Sequence, residues 1–157
     1  MKLVFDIETD GIDATKVWCI VAQDVDTKKI YKWKPDDIDS GISFLMNAEA
    51  LIGHNIIGYD AAVLDKLYGT DLLGKKLYDT WIMSQVLCYK RKHKHGLGGW
   101  GEHLGYSKFE FSDWSQFTEE MLTYCVRDVE LNTRVYELLM KEFMEQSSTK
   151  PLIAKGL

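Results

Sequence analysis

Two acidic residues near the N-terminus, Asp6 and Glu8, are the first side chains that could perform chemistry. They end the apolar run Leu3-Val4-Phe5, which is typical of a buried strand. Because side chains alternate along a strand, both carboxylates lie on one face, with Cα atoms about 6.5 Å apart. Two like charges there require a cation, and no Lys or Arg is adjacent in sequence. The pair predicts a metal site, with a solvated strand end as the alternative.

A second acidic candidate follows the short apolar run 50–53, which is typical of a buried parallel strand. A helix is predicted from Tyr59 to Tyr68, and Asp60 lies in its first turn, where a carboxylate also interacts favourably with the helix dipole. Asn55 lies in the preceding loop, where Asn is common for turn geometry alone. Both residues therefore have a structural and a functional interpretation.

The last predicted helix, from about Thr118 to Phe143, carries a carboxylate that is harder to explain structurally. Tyr124 and Asp128 lie four residues apart on one face of this helix. They prolong an apolar row formed by Leu131, Val135, Leu138 and Leu139. A lone buried carboxylate is costly unless it is paired or binds metal. Arg127 and Arg134 are candidate salt-bridge partners, but Arg127 points about 100° away around the helix.

The order of the predicted elements brings these motifs together. Strands at 17–24 and 29–33 follow the first strand as an antiparallel meander, and strand–helix alternation comes next. This order predicts an α/β fold with a mixed sheet, in which parallel strands add on the other side of strand one and helices cover both faces. Ligand crevices in such sheets lie at the carboxyl ends of the central strands, where both motifs open.

Composition narrows the class of protein. A chain of 157 residues with 46% hydrophobic residues fits one domain with a core, and its net charge of −5 argues against a generally sticky nucleic-acid coat. Cys19, Cys88 and Cys125 are widely spaced in apolar segments and are expected to be reduced residues of the core. No signal peptide is evident, and no apolar run approaches the roughly 20 residues of a membrane span. We therefore expect a cytoplasmic protein without a membrane partner.

One dense basic run, residues 89–96, differs from the acidic remainder of the chain. It is either a solvated loop or a set of sequence-independent phosphate contacts that lead to the acidic centre. The candidate substrate-binding side chains in it are Lys90, Arg91, Lys92 and Lys94.

Taken together, the motifs Asp6-x-Glu8, Asn55-x-x-x-Tyr59-Asp60 and Tyr124-x-x-x-Asp128 resemble the DEDD superfamily of 3′-5′ exonucleases, in its tyrosine (DEDDy) branch. The likeness is to the proofreading domain of podovirus-type phage family-A DNA polymerases, and it extends from Met1 to about Met144. It implies a ribonuclease H-like mixed five-stranded sheet in residues 1–145, with residues 146–157 as a flexible tail or truncated linker.

The resemblance also implies a mechanism. Two divalent ions, Mg²⁺ or Mn²⁺, are bound by the four carboxylates Asp6, Glu8, Asp60 and Asp128. Tyr124 then orients the attacking water, Thr9 contacts the terminal nucleotide and Asn55 orients a group of the metal site. Nucleoside 5′-monophosphates leave one at a time from 3′ ends of single-stranded or frayed DNA, in proofreading or DNA turnover. A DNA polymerase domain or subunit in a bacterial or phage-infected cell is the candidate partner.

Two alternatives share this fold. A 3′-5′ exoribonuclease that trims RNA or oligonucleotides uses the same chemistry, and no feature of the sequence guarantees a filter for the 2′-hydroxyl. An inactive nucleic-acid-binding accessory of a polymerase would predict the loss of at least one acid, whereas all four are present.

Overall fold

The structure, a computed structural model, describes the backbone of residues 1–155 and the side chains of residues 1–148. Its sheet has the strand order β3-β2-β1-β4-β5. The strands are β1 (Lys2–Thr9), β2 (Val17–Asp24), β3 (Ile30–Trp33), β4 (Ala50–Gly53) and β5 (Leu77–Asp79). β1, β2 and β3 pair antiparallel, whereas β4 and β5 add in parallel on the other side of β1. The predicted mixed five-stranded sheet is confirmed.

The helices are α1 (Ile38–Met46), α2 (Asp60–Tyr68), α3 (Thr80–Leu87), α4 (Leu97–Leu104) and α5 (Glu119–Lys155). α5 passes its predicted end near Phe143, and residues 146–155 continue the helix where a loose end was expected. Residues 156–157 lie outside the described part of the chain, so the division into a domain 1–145 and a tail 146–157 stays a prediction. No helix in the described chain is long and apolar enough to cross a membrane.

Strand β1 separates two apolar layers because its side chains alternate. Leu3, Phe5 and Ile7 are buried in a cluster that includes residues of α1 and α2. Val4 faces the other layer, where it is buried in a cluster with α5. Helices α3 and α4 pack against α5 through a third cluster of apolar side chains. The predicted helices on both faces are thus present, and Asp6 and Glu8 continue the face of Val4 that meets α5.

Asp79, at the end of β5, holds two loops at the edge of the crevice. It caps α3, because its carboxylate accepts hydrogen bonds from the backbone N–H groups of Trp81 and Ile82. The same carboxylate also accepts from the N–H groups of Asn55 at 2.9 Å and Ile57 at 3.2 Å. One buried side chain therefore ties the loop after β4 to the start of α3.

Asp79→Ala should be strongly destabilising, because it leaves four backbone donors without their acceptor. A lost helix cap alone costs about 1 kcal/mol, and buried unsatisfied donors add to it, so we expect a loss of about 2–4 kcal/mol in the free energy of unfolding. Urea denaturation measures this loss. Asp113→Ala is the matched control, since Asp113 makes similar local bonds at an exposed site. Equal effects of the two substitutions would contradict the assignment.

Candidate metal centre

Asp6 and Glu8 lie on the face of β1 that meets α5, as their alternation predicts. Glu8 is buried, Asp6 is partly exposed, and Cys125 of α5 lies against both. The Cys125 thiol is 3.7 Å from the Asp6 carboxylate oxygen Oδ2. One donor atom from each of the three side chains lies within 4.8 Å of the other two. The end of β1 and the first part of α5 therefore place two carboxylates and a thiol in one group.

Asp60 joins this group from the start of α2. β4 pairs with β1 only over Lys2 to Val4, so the backbone of Ile7 lies beyond the parallel ladder. Its N–H donates to Asp60 Oδ2 at 3.2 Å. The Asp60 carboxyl is buried and hydrogen-bonds the carboxyl of Asp6. The interpretation of Asp60 as a helix-dipole residue alone is insufficient, because its side chain is directed to the end of β1.

Asp128 completes the set from α5, and its side chain is buried. Neither arginine considered from the sequence pairs with it: Arg127 and Arg134 lie over the ring of Tyr106 at 3.3 and 3.7 Å. Its Oδ2 instead lies 3.4 Å from Lys108 Nζ. Its Oδ1 is buried without a hydrogen-bond partner among the side chains that the structure describes. A buried carboxylate oxygen that accepts no hydrogen bond is unfavourable unless a positive charge lies nearby.

The carboxyl groups perturb one another electrostatically. Burial raises the pKa of Glu8 to about 11, and the charges of Asp6, Asp128 and Asp60 add to the shift. Burial and the neighbouring Asp6 raise the pKa of Asp128 to about 7, against the charge of Lys108. Burial also raises the pKa values of Asp6 and Asp60. Without added positive charge, the group retains protons at neutral pH.

The donor set fits a divalent metal ion. Four carboxylates share one nearby ammonium group, that of Lys108, among the interactions of the described side chains. The free Oδ1 of Asp128 and the mutual repulsion of the acids are both relieved by a doubly charged cation. Oxygen-rich sites of this kind suit hard cations rather than structural zinc.

Tyr124 lies beside Asp128, one turn earlier on α5. It is half-buried between the rings of Phe111 and Trp114, with ring centroids 5.7 Å away in each case. Lys108 hydrogen-bonds the phenol and lies over the ring at 5.3 Å. Burial and the charge of Asp128 raise the pKa of Tyr124, so its phenol stays protonated at neutral pH and can donate a hydrogen bond.

A cavity of about 320 Å³ adjoins the carboxylates. Glu8 and Thr9 contribute to its lining, together with the apolar side chains of Ile12 and Trp114. Thr9 Oγ1 lies 2.6 Å from the Tyr59 hydroxyl, and that hydroxyl donates to the Gly11 carbonyl oxygen at 2.7 Å. Thr9 is thus at the wall of the cavity, although its hydroxyl is engaged within the protein.

Four of the remaining predicted substrate residues are exposed, and the fifth, Arg91, is paired within the protein. Asn55 is exposed, with φ of 59°, in the left-handed region that Asn tolerates better than most residues. Lys90, Lys92 and Lys94 are exposed. Arg91 differs, because its guanidinium pairs with Glu142 at 2.8 Å and also donates to Ser84. Arg91 therefore anchors the basic loop to α3 and α5.

Sequence reasoning missed Lys108 and Cys125 as members of the centre. Lys108 lies in the irregular segment between α4 and α5, where no periodicity indicates which way a side chain points. Cys125 was assigned to the core, and it does belong to the buried cluster around Val4. Its position one residue after Tyr124 and three before Asp128 was the available signal, since residues three apart on a helix are neighbours.

No family profile matches the chain. The sequence is 26% identical to the DNA-directed DNA polymerase of Escherichia phage T7 over 187 aligned residues, which cover 89% of this chain and 27% of that protein. The polymerase of Enterobacteria phage T3 is also 26% identical, with the same coverage. The chain therefore spans about a quarter of the length of these relatives.

Solved structures of low sequence identity share the fold. NrnC of Brucella melitensis with bound Mg²⁺ superposes with a TM-score of 0.73 at 20% identity, over 96% of this chain and 77% of that chain. The family B DNA polymerase of Pyrobaculum calidifontis gives 0.67 at 16% identity, over 88% of this chain and 24% of that chain. These structures confirm the predicted fold, and together with the homology to phage DNA polymerases they support the predicted resemblance to DEDD-type exonucleases.

The raised carboxyl pKa values predict how stability depends on pH. Between the ordinary value of 3.8 for Asp128 and its folded value of about 7, the folded protein binds more protons than the unfolded chain. In chelator, the free energy of unfolding should therefore fall as pH rises from about 5 to about 8. Asp128→Asn removes one contributing group and should make the decline less steep.

Urea denaturation across this pH range measures the effect, with Asp36→Asn as the control at an exposed position. A native slope in Asp128→Asn would show that this carboxyl is not perturbed as described. Added Mn²⁺ should raise the free energy of unfolding most at the high-pH end, where the carboxyl groups have lost their protons.

Proposed function

We propose that this chain is a metal-dependent 3′-5′ exonuclease that removes nucleoside 5′-monophosphates from single-stranded or frayed DNA. The observation that carries the proposal is the convergence of Asp6, Glu8, Asp60 and Asp128 from β1, α2 and α5 into one group. Homology to phage DNA polymerases and the fold likeness to NrnC support nuclease activity.

The four carboxylates would hold two divalent cations, Mg²⁺ or Mn²⁺, which when bound lower the pKa of water and neutralise charge on the phosphodiester. Tyr124 donates a hydrogen bond to the attacking water, because its raised pKa keeps the phenol protonated. Lys108 holds Asp128 and Tyr124 in place and adds positive charge where the phosphate approaches. The cavity beside Glu8 receives the terminal nucleotide, with Trp114 and Ile12 as apolar walls.

A preference for single strands follows from the shape of this site. The terminal nucleotide has to leave its stack and enter the cavity unpaired, and a frayed or single-stranded end does so at the lowest cost. The exposed lysines at 90, 92 and 94 supply sequence-independent attraction for the phosphates behind it. Thr9 lines the cavity, and Asn55 lies in the loop that leads to Asp60.

The phage relatives support a role in proofreading or DNA turnover in a phage-infected bacterial cytoplasm. Because these relatives are DNA polymerases, a DNA polymerase domain or subunit is the proposed partner.

A second candidate is trimming of short RNA oligonucleotides. It is favoured by the fold likeness to NrnC of Brucella melitensis bound to the dinucleotide pGG, which has a TM-score of 0.71 over 96% of this chain. The two functions share their chemistry and differ in substrate, so one assay separates them.

Single-stranded DNA and RNA of matching sequence should be incubated with Mg²⁺, Mn²⁺ or chelator, and the released 5′-monophosphates quantified. We expect release from DNA that requires the metal and that falls at least about a hundredfold in Asp6→Ala, because a metal ion contributes several kcal/mol to such reactions. Asp36→Ala, at an exposed position, should retain native activity. Undiminished digestion by Asp6→Ala would refute the metal centre, and preferential digestion of RNA would favour the second candidate.

Lys108→Gln and Tyr124→Phe should each lower kcat on the order of 10–100-fold, because Lys108 holds Asp128 and Tyr124 in place and the Tyr124 phenol donates to the attacking water. The two residues contact each other, so the double variant should lose much less than the product of the single losses. Lys32→Gln, on the exposed edge strand, is the control. Independent, multiplicative losses would show that Lys108 and Tyr124 do not act as one unit.

Replacing Lys90, Lys92 and Lys94 together by Ala should weaken DNA binding and make it less sensitive to salt. Each lost phosphate contact lowers the slope of log K against log salt by about 0.7, so the full change is about 2. Fluorescence anisotropy over a salt series measures the slope, and Arg91 stays in place because it holds the loop. A triple variant of exposed lysines elsewhere (Lys29, Lys32 and Lys66) should keep the native slope.

A further inference from the structure

The Cys125 thiol is a donor that an all-oxygen metal centre does not need. Its Sγ lies 3.7 Å from both the backbone carbonyl and the carboxylate Oδ2 of Asp6. The Cys125 sulfur, a carboxylate oxygen of Asp6 and a carboxylate oxygen of Glu8 lie within 4.8 Å of one another. Magnesium and manganese prefer oxygen ligands, whereas thiolates favour softer cations such as zinc and cadmium.

We propose that Cys125, Asp6 and Glu8 form a site for a thiophilic divalent cation, Zn²⁺ or Cd²⁺. The cation would occupy the same pocket as the Mg²⁺ or Mn²⁺ ions of the proposed exonuclease and would compete with them. This competition rests on the proposed function, whereas the binding itself does not. Binding replaces the thiol proton, which leaves to solvent as the sulfur bonds the ion. Three protein donors leave a fourth position open, as at catalytic rather than structural zinc sites.

The spacing of the donors fits this geometry. With a Zn–S bond of about 2.3 Å, a Zn–O bond of about 2.1 Å and a tetrahedral angle, the sulfur and oxygen lie about 3.6 Å apart. The observed distance between Cys125 Sγ and Asp6 Oδ2 is 3.7 Å. The ion can approach from solvent, because Asp6 is partly exposed.

A second observation points to a cation at this place. The buried Oδ1 of Asp128 has no hydrogen-bond partner among the described side chains. Asp128 acts electrostatically on both Asp6 and Glu8, so this oxygen belongs to the same cluster of charge. Asp128 therefore supplies further negative charge for an ion held by the other three residues.

Titration of the intact native chain with Cd²⁺, in the absence of nucleic acid, tests the binding directly. We expect a sulfur-to-cadmium charge-transfer absorption that saturates at one ion per chain, that Cys125→Ser abolishes, and that Cys88→Ser retains. X-ray absorption at the cadmium edge of the native protein should show one sulfur beside oxygen neighbours, a result that does not depend on the folding of any variant. Absence of a sulfur neighbour, or persistence of the band in Cys125→Ser, would overturn the proposal.

An inhibition assay tests the competition. Zinc should inhibit the Mg²⁺-dependent release of nucleotides. Cys125→Ser should need at least about tenfold more zinc than the native protein for the same fractional inhibition, because the thiol ligand is missing. The rate of each protein is compared with its own rate without zinc. Equal sensitivity of Cys125→Ser and native protein would refute competition through the thiol. A cadmium–sulfur band in a protein without nuclease activity would refute only the proposed function, whereas activity without the band would refute only this inference.

Discussion

Repulsion among buried carboxylates is the constraint on which the rest of this structure depends. Asp6, Glu8, Asp60 and Asp128 come from three elements and meet where burial raises the pKa of each, and neighbouring carboxylate charge adds to the shifts of Glu8, Asp60 and Asp128. The nearby Lys108 offsets one negative charge of the four. A protein core of this size can hold such a group because the apolar layers on both sides of β1 stabilise the fold around it. Because a bound cation relieves this repulsion, the same carboxylates should bind a doubly charged ion strongly.

The topology explains why distant residues meet. β4 pairs with β1 over only a few residues, so the last part of β1 is free to receive Asp60 from α2 through the backbone of Ile7. On the opposite face, α5 packs along β1 and β2 and brings Cys125 and Asp128 to the same point. Asp79 then fixes the loop before α2 by two backbone hydrogen bonds and caps α3 by two more. The centre is therefore assembled by backbone geometry more than by contacts among its own side chains.

The sequence predicted those parts of the fold that periodicity controls. The alternation of side chains along β1 predicted that Asp6 and Glu8 share a face. The position of Asp128 in an apolar row on α5, four residues after Tyr124, predicted that its side chain is buried. Lys108 could not be predicted, because its irregular segment is positioned by remote contacts such as the bond from Trp18 Nε1 to the Trp114 carbonyl. The helical continuation after Phe143 was also missed: the segment that follows contains Pro151, and proline is unfavourable inside a helix.

We propose that these acids bind divalent cations in the folded protein. Crystals of the native chain soaked in Mn²⁺ and measured with anomalous scattering would locate the bound ions. We expect manganese peaks between Asp6, Glu8, Asp60 and Asp128, and their loss in Asp6→Ala crystals. Native crystals in which manganese binds elsewhere, or in which these carboxylates take up none, would contradict it.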